Sequence, residues 1–347
     1  MIPAFGAGGL LLLATGSIWL GSFLGSKKPE PKDDDTDETL DLTWWPVVMM
    51  PVSSSIFLLL IFYYFAYIQY ILLLFIVLGS GLSCVEVMQS SIAAFAPSMK
   101  GIVSSIFSII FTMYMILQWA SNGSFIAHNF LGCCLCISSI AMIRFPSLKL
   151  AAVCLGLLLL YDIFWVFFSE YIFSKNVMVE VATKSAANPL QAFGVLLKIP
   201  ILEASQPKLE LPIKLLMSAS LLPTPGSRVM MLGLGDIALP GFLVSLARRC
   251  DIDQRYRRTL PRSSTDYIKE NEAKESISLR ESPNLFECGL VGYVIGLLTA
   301  FYIGYISGHA QPALIYLVPG VLIPITIRAW QKKILLDIWN GPMKESD

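Results

Sequence analysis

Leu159-Leu160-Tyr161-Asp162-Ile163-Phe164-Trp165-Val166-Phe167-Phe168 is an apolar run with a single acid in its middle. The run belongs to a longer tract, about Leu150 to Phe173, whose only other charge is Glu170 near its end. Crossing a bilayer takes about 20 apolar residues in a helix, so the tract is long enough to span. Asp162 then lies about a dozen residues from either end, or roughly 18 Å deep at about 1.5 Å of rise per residue. An acid at that depth costs about 2.5–3.5 kcal/mol on insertion scales, so its presence asks for a function. Glu86 and Glu170 fall near span ends, where a carboxylate reaches the interface.

A second acid follows in Gly233-Leu234-Gly235-Asp236. The tract around it, about Val229 to Ala247, reads as the next span, with Asp236 about seven residues in, or roughly 11 Å deep. Consecutive spans run antiparallel, so Asp162 and Asp236 can meet. Two carboxylates in contact cannot both ionise and share a proton. The ionised one can deprotonate a water while the protonated one polarises a peptide carbonyl. That chemistry needs neither a metal nor a nucleophilic side chain, and no cofactor is implied. Gly233 and Gly235 remove bulk beside the acid and allow close helix approach. Gln311-Pro312-Ala313-Leu314 opens a later span, where proline frees backbone groups, as is tolerated at depth only around a cavity.

The rest of the chain agrees with a membrane protein. Of its 347 residues 55% are hydrophobic and 14% charged, and the mean hydropathy is +0.66; a soluble chain carries nearer a quarter charged residues. Net charge is zero, which offers no bulk attraction to nucleic acid. The apolar tracts predict an all-α, nine-span bundle. Residues 1–148 hold about five spans and an acidic loop at 26–41, and residues 149–347 hold spans six to nine. A loop at 174–228 contains six prolines, and another at 248–285 is charged. Residues 44–97 are long enough for two spans, with the break expected near Tyr63, Tyr64, Tyr67 and Tyr70 because tyrosines favour the interface. Basic residues gather at Lys27, Lys28, Lys100, Arg144, Lys149, Arg248, Arg249, Lys332 and Lys333. Cytosolic loops are enriched in such residues, which predicts a luminal N-terminus and a cytosolic C-terminus. Cys133, Cys134 and Cys136 read as small buried side chains rather than metal ligands.

Tyr161-Asp162, Gly233-Leu234-Gly235-Asp236 and Pro312-Ala313-Leu314, in that order, resemble the three motifs of the GxGD intramembrane aspartyl proteases, the signal peptide peptidases and presenilins. The likeness extends through residues 161–168, Asn176-Val177-Met178-Val179, Met231 to Asp236 and Gln311 to Pro319. It implies a nine-helix fold, Asp162 and Asp236 as the catalytic pair, and Tyr161, Gly233, Gly235, Gln311, Pro312, Ala313 and Leu314 as supporting residues. It also implies, as substrates, type II single-pass membrane proteins held in the lipid bilayer. The shorter loop after span six, its non-cytosolic placement and Gln311 before Pro312 resemble the signal peptide peptidase side. The N-terminus is expected to be short, without a large luminal domain. Together with Ser169 to Pro189 it resembles the signal peptide peptidase-like type 3 branch, which implies the Golgi rather than the endoplasmic reticulum and release of membrane-anchored glycosyltransferases. The ending Met343-Lys344-Glu345-Ser346-Asp347 lacks a dilysine retrieval signal. A homo-oligomer stays open.

The competing reading is a proton-coupled transporter or leak channel, since paired intramembrane aspartates also serve proton relays. No inverted repeat supports it. His-Glu-x-x-His and Gly-x-Ser-Gly are both absent, which leaves zinc and serine intramembrane proteases without their motifs. A helical substrate must unwind to be cut, and an exposed strand edge would receive the unwound backbone. Val177-Met178-Val179-Glu180-Val181 and Leu209-Glu210-Leu211 are the stretches expected to supply that edge.

Overall fold

The computed structural model describes residues 4–26, 40–41, 43–95, 101–173, 177, 180–181, 211–218, 229–259, 284–307 and 311–341. Helix α1 covers Ala4–Gly25, α2 Trp44–Phe95, α3 Ile102–Asn122, and α4 Phe125–Met142. Helix α5, Leu148–Ile163, passes through a π-helical turn at Phe164–Phe168 into α6, Ser169–Phe173. After the second polar interval come α7, Gly235–Thr259, α8, Leu285–Ser307, α9, Leu314–Gln331, and the short α10, Leu335–Asn340. The fold is not purely helical. Strands β1 (Leu40–Asp41) and β2 (Ile143–Arg144) pair in parallel, and β3 (Lys214–Ser218) and β4 (Val229–Gly233) form an antiparallel pair.

Among the described residues seven helices are long and apolar enough to cross a membrane. Two features separate seven from the nine expected. First, α2 is 52 residues long, about 78 Å at 1.5 Å per residue and far more than a ~30 Å hydrocarbon core requires. It breaks at Tyr64, whose φ of −115° and ψ of 20° are not helical, where the tyrosine cluster predicted a break. Its two halves run in opposite senses. Met50 meets Cys154, Ser55 receives the Trp165 indole N–H, and Phe62 meets Phe173, so this half climbs beside α5 and α6. Glu86, on the other half, accepts a hydrogen bond from Ser138 near the end of α4, back beside the start of α5.

Second, the tract expected as span seven is split between two structures. Val229–Gly233 is strand, and the helix begins only at Gly235. Only Gly235 to Ala247 is then uncharged apart from Asp236, about 20 Å of helix, and the rest of α7 carries charges. The residues before α7 are strand, one edge of which pairs with β3. Spans eight and nine, expected over about 286–306 and 310–330, are α8 and α9, the latter starting four residues later than expected.

The main core joins α1, α4, α5, α7, α8 and α9, with Leu10, Ile18, Ile140, Leu155, Val244, Tyr293 and Val321 buried within it. Helices α8 and α9 touch backbone to backbone, because a Cβ on Gly292 would lie 2.0 Å from the Gly320 carbonyl oxygen. At the basic end, Arg248 lies between the rings of Phe23 and Phe286, which ties α1, α7 and α8. Asp251 of α7 accepts the Leu285 and Phe286 N–H groups at 3.2 and 2.9 Å, and Lys332 stands 3.7 Å away. The carboxylate thus caps α8, whose first N–H groups have no partner within the helix. Asp251→Ala leaves those buried N–H groups without their acceptor. The expected loss is about 2–3 kcal/mol, read as a lower melting temperature in detergent, with Asp251→Asn losing less.

Candidate active site

Asp162 projects from the last turn of α5, just before the π-helical turn, and is 4% exposed. Its Oδ2 accepts the Leu314 N–H at 3.3 Å. Leu314 is the first residue of α9, so this N–H is one of those a helix start leaves unpaired, and the helix dipole there favours a negative charge. Pro312 shapes that start. Its ring cannot donate, while its carbonyl and that of Ala313 accept from Ile315, Tyr316 and Leu317 and close the first turn. Pro312 and Leu314 are buried, and Gln311 and Ala313 half-buried.

Asp236 sits elsewhere than its sequence position suggested. It occupies the first turn of α7 rather than a point seven residues inside a span. The cause is the strand before it. Leu234 turns the chain, donating to Ile213 O at 3.0 Å and accepting from Ala238 at 2.8 Å, so that the helix can begin only there. Asp236 is half-buried, takes a hydrogen bond from the Gly233 backbone, and lies within charge–charge reach of Asp162. Two helix starts, those of α7 and α9, therefore place carboxylate and N–H groups around one point at the end of α5.

The supporting residues divide. Gly233 is needed where it stands, since a Cβ there would lie 3.2 Å from Asp236 Oδ2, whereas Gly235 faces open space. Tyr161 is within charge reach of Asp162. It lines a shallow apolar groove with Pro51, Ser55, Leu160 and Trp165, between α2 and α5. The π-helical turn lies just beyond, a distortion common at functional sites.

The expected strand edges are elsewhere. Val177, Glu180 and Val181 are helical, correcting the strand expected there, while Met178 and Val179 lie outside the described residues; a β-branched run does not in itself select strand. Leu209 and Glu210 lie outside the described residues, and Leu211 is buried without regular structure. The strands are β3 and β4, and β4 runs directly into Gly233 and Asp236. Two further features escaped sequence reading. Tyr293 of α8 is fully buried, its hydroxyl has no hydrogen-bond partner among the described residues, and it is within charge reach of Asp236; a tyrosine set between Gly292 and Gly296 was the available signal. His128 and Asn129 of α4 both bond to β3.

The signal peptide peptidase family, peptidase A22B, matches residues 34–345. The chain belongs to that family. A rice protein named signal peptide peptidase-like 1 is 38% identical over 231 residues, which is 65% of this chain and 59% of the relative. The human signal peptide peptidase-like 2A is 29% identical over 232 residues, 66% of this chain and 37% of the relative. An Arabidopsis signal peptide peptidase-like 3 is 29% identical over 252 residues, 72% and 38% of the two chains. The chain thus spans about three fifths of the length of the plant type 1 relatives it matches. Family membership and multi-pass helical architecture agree with the reading of the three motifs.

Proposed function

We propose that this chain is an intramembrane aspartyl endopeptidase in which Asp162 and Asp236 hydrolyse a peptide bond within a type II oriented membrane segment. The observation that carries this reading is the convergence of the α5 end, the α7 start and the α9 start, with Leu314 N–H on Asp162 and Asp236 within charge reach of it. The pair holds one proton. The ionised carboxylate takes a proton from water as the water oxygen attacks the scissile carbonyl carbon. The protonated carboxylate gives its proton to the carbonyl oxygen. Collapse of the tetrahedral diol returns that proton, protonates the amide nitrogen and breaks the C–N bond. Leu314 N–H and the α9 start steady negative charge on Asp162 between these steps.

The substrate backbone is received on β4 by strand addition. Among the described residues no other strand pairs with β4, its residues Val229 and Met231 are exposed, and its chain leads straight to Asp236. Purified protein in liposomes is expected to cut a type II membrane segment, with Asp236→Ala inactive. Proton flux without cleavage would point instead to the transporter reading. Gly233→Ala is expected to slow cleavage about 10-fold or more by crowding Asp236, and Gly235→Ala far less, since its added methyl meets nothing.

Counting α2 as two spans and α7 as one gives nine and keeps the proposed orientation, with the basic end cytosolic and the β3–β4 pair on the luminal side. A reporter placed after Asp347 is expected to be digested by protease added outside sealed vesicles. A protected reporter would reverse the orientation. The type 3 resemblance supports Golgi residence and shedding of membrane-anchored enzymes, to be checked by fractionation of the native protein and by comparing shed ectodomains with and without Asp236.

A further inference from the structure

We infer that Asn129, with His128, is a positioning pair that seals the outer edge of β3 and so fixes which atoms of β4 meet the substrate. The inference rests on the protease reading above. Asn129 bonds Leu216 twice: its Nδ2 donates to Leu216 O at 2.6 Å, and Leu216 N donates to its Oδ1 at 2.8 Å. A side-chain amide carries the donor and acceptor of a peptide unit, so Asn129 stands in for a neighbouring strand. One residue earlier on α4, His128 Nε2 lies 2.7 Å from Lys214 O. A carbonyl only accepts, so Nε2 carries the proton. One turn on, Gly132 admits the strand to the helix surface, where a Cβ would sit 3.2 Å from Leu215 Cδ2 and 3.4 Å from Pro212 O. Three residues of one helix face thus seat β3.

Strand geometry turns this seat into a register. In an antiparallel pair, opposed residues alternate between those that exchange both hydrogen bonds and those that point both groups outward. Leu216 gives both of its groups to Asn129, so Leu216 and its opposite residue Met231 form an outward-pointing pair. Met231 therefore aims its N–H and C=O away from β3, at the edge left for a substrate. Gly233 faces the same way, and its backbone is already engaged by Asp236. Met231 is then the backbone group nearest the carboxylates that an extended substrate can pair with, two residues before Gly233. Because β3 is held by a helix rather than by another strand, an intruding segment has one edge of this sheet to join, and the β3–β4 pair cannot slide along α4 without breaking the Asn129 bonds. A slip that keeps each side chain on its own face moves by two residues, about 7 Å, and carries the scissile bond away from the aspartates.

The test measures where the substrate is cut. Wild type, Asn129→Leu, Asn129→Asp and Asp236→Ala are reconstituted with one type II membrane segment, and product ends are read by mass spectrometry. Asn129→Asp keeps the size of the side chain but sets a second oxygen against Leu216 O. Both Asn129 variants are expected to spread or shift the product ends by two residues and to lower total cleavage between about 10- and 100-fold. A structural role alone would lower all products in proportion at unmoved positions. Unmoved ends, or loss of folded protein in both variants, would overturn the register role. Absence of Asp236-dependent cleavage by the wild type would instead remove the protease reading, and this inference with it.

Discussion

Asp236→Ala is expected to reduce cleavage of a membrane segment by roughly 10⁴-fold or more, and Asp162→Ala to do the same, because each acid alone lacks the partner that holds the shared proton. The two variants differ in what they do to the fold. Asp162 accepts the Leu314 N–H and is nearly fully buried, so its loss leaves one helix-terminal donor unpaired, at about 1–3 kcal/mol. Set against that is the release of a carboxylate buried at depth, which itself costs energy to insert. Asp162→Ala is therefore expected to stay near the wild type in stability. Asp236 is half-buried at a helix start, where an acid gains from the dipole by about 0.3–1 kcal/mol, and its loss should lower the melting temperature only slightly. The measurement is a quantitative cleavage assay beside thermal unfolding of the same preparations. Cleavage within 10-fold of wild type by a correctly folded Asp162→Ala or Asp236→Ala protein would end the assignment.

How far these two residues could be read from sequence differs for a physical reason. Asp162 was legible because a single acid inside a long apolar tract has one economical explanation, and its depth follows from counting. The break at Tyr64 was legible because several tyrosines in an apolar tract mark an interface. Pro312 marked the opening of α9, expected from about Ala310, but did not fix its first residue, Leu314. Asp236 was placed too deep because Val229-Met230-Met231-Leu232-Gly233 is a short apolar run, and such a run reads equally as strand or helix. What decides it is β3, whose paired residues lie eleven to nineteen positions away, and which is itself legible only once its partner is known. The edge-sealing pair was hidden for the opposite reason. His128-Asn129 stands out as polar within Phe125–Met142, yet nothing local says that its acceptors and donors lie on Lys214 and Leu216.

Gly292→Val is expected to disable the protein without touching either carboxylate. Helices in lipid gain little from the hydrophobic effect and associate through close packing, which small residues permit. Here α8 and α9 meet across Gly292, Gly296 and Gly320. A Cβ on Gly292 would lie 2.0 Å from Gly320 O, and one on Gly296 2.8 Å from Tyr316 O, backbone atoms that no rotamer change can move aside. The helices must separate, at a cost of several kcal/mol beyond the ~1–3 kcal/mol typical of overpacked side chains. Separation moves the whole of α9, and with it Leu314, whose N–H reaches Asp162 at 3.3 Å, already near the limit of a hydrogen bond. Gly304, on the same α8, has nothing within 4 Å of a built Cβ. Gly304→Ala therefore keeps full activity and gains up to about 1 kcal/mol of helix stability. The pair of variants separates packing from propensity: Gly292→Val should lower the melting temperature and cleavage together by at least 100-fold in rate, and Gly304→Ala should leave both unchanged or slightly raised. A Gly292→Val protein as stable and active as wild type would show that α8 and α9 do not meet in this way, and that the α9 start is held against Asp162 by other contacts.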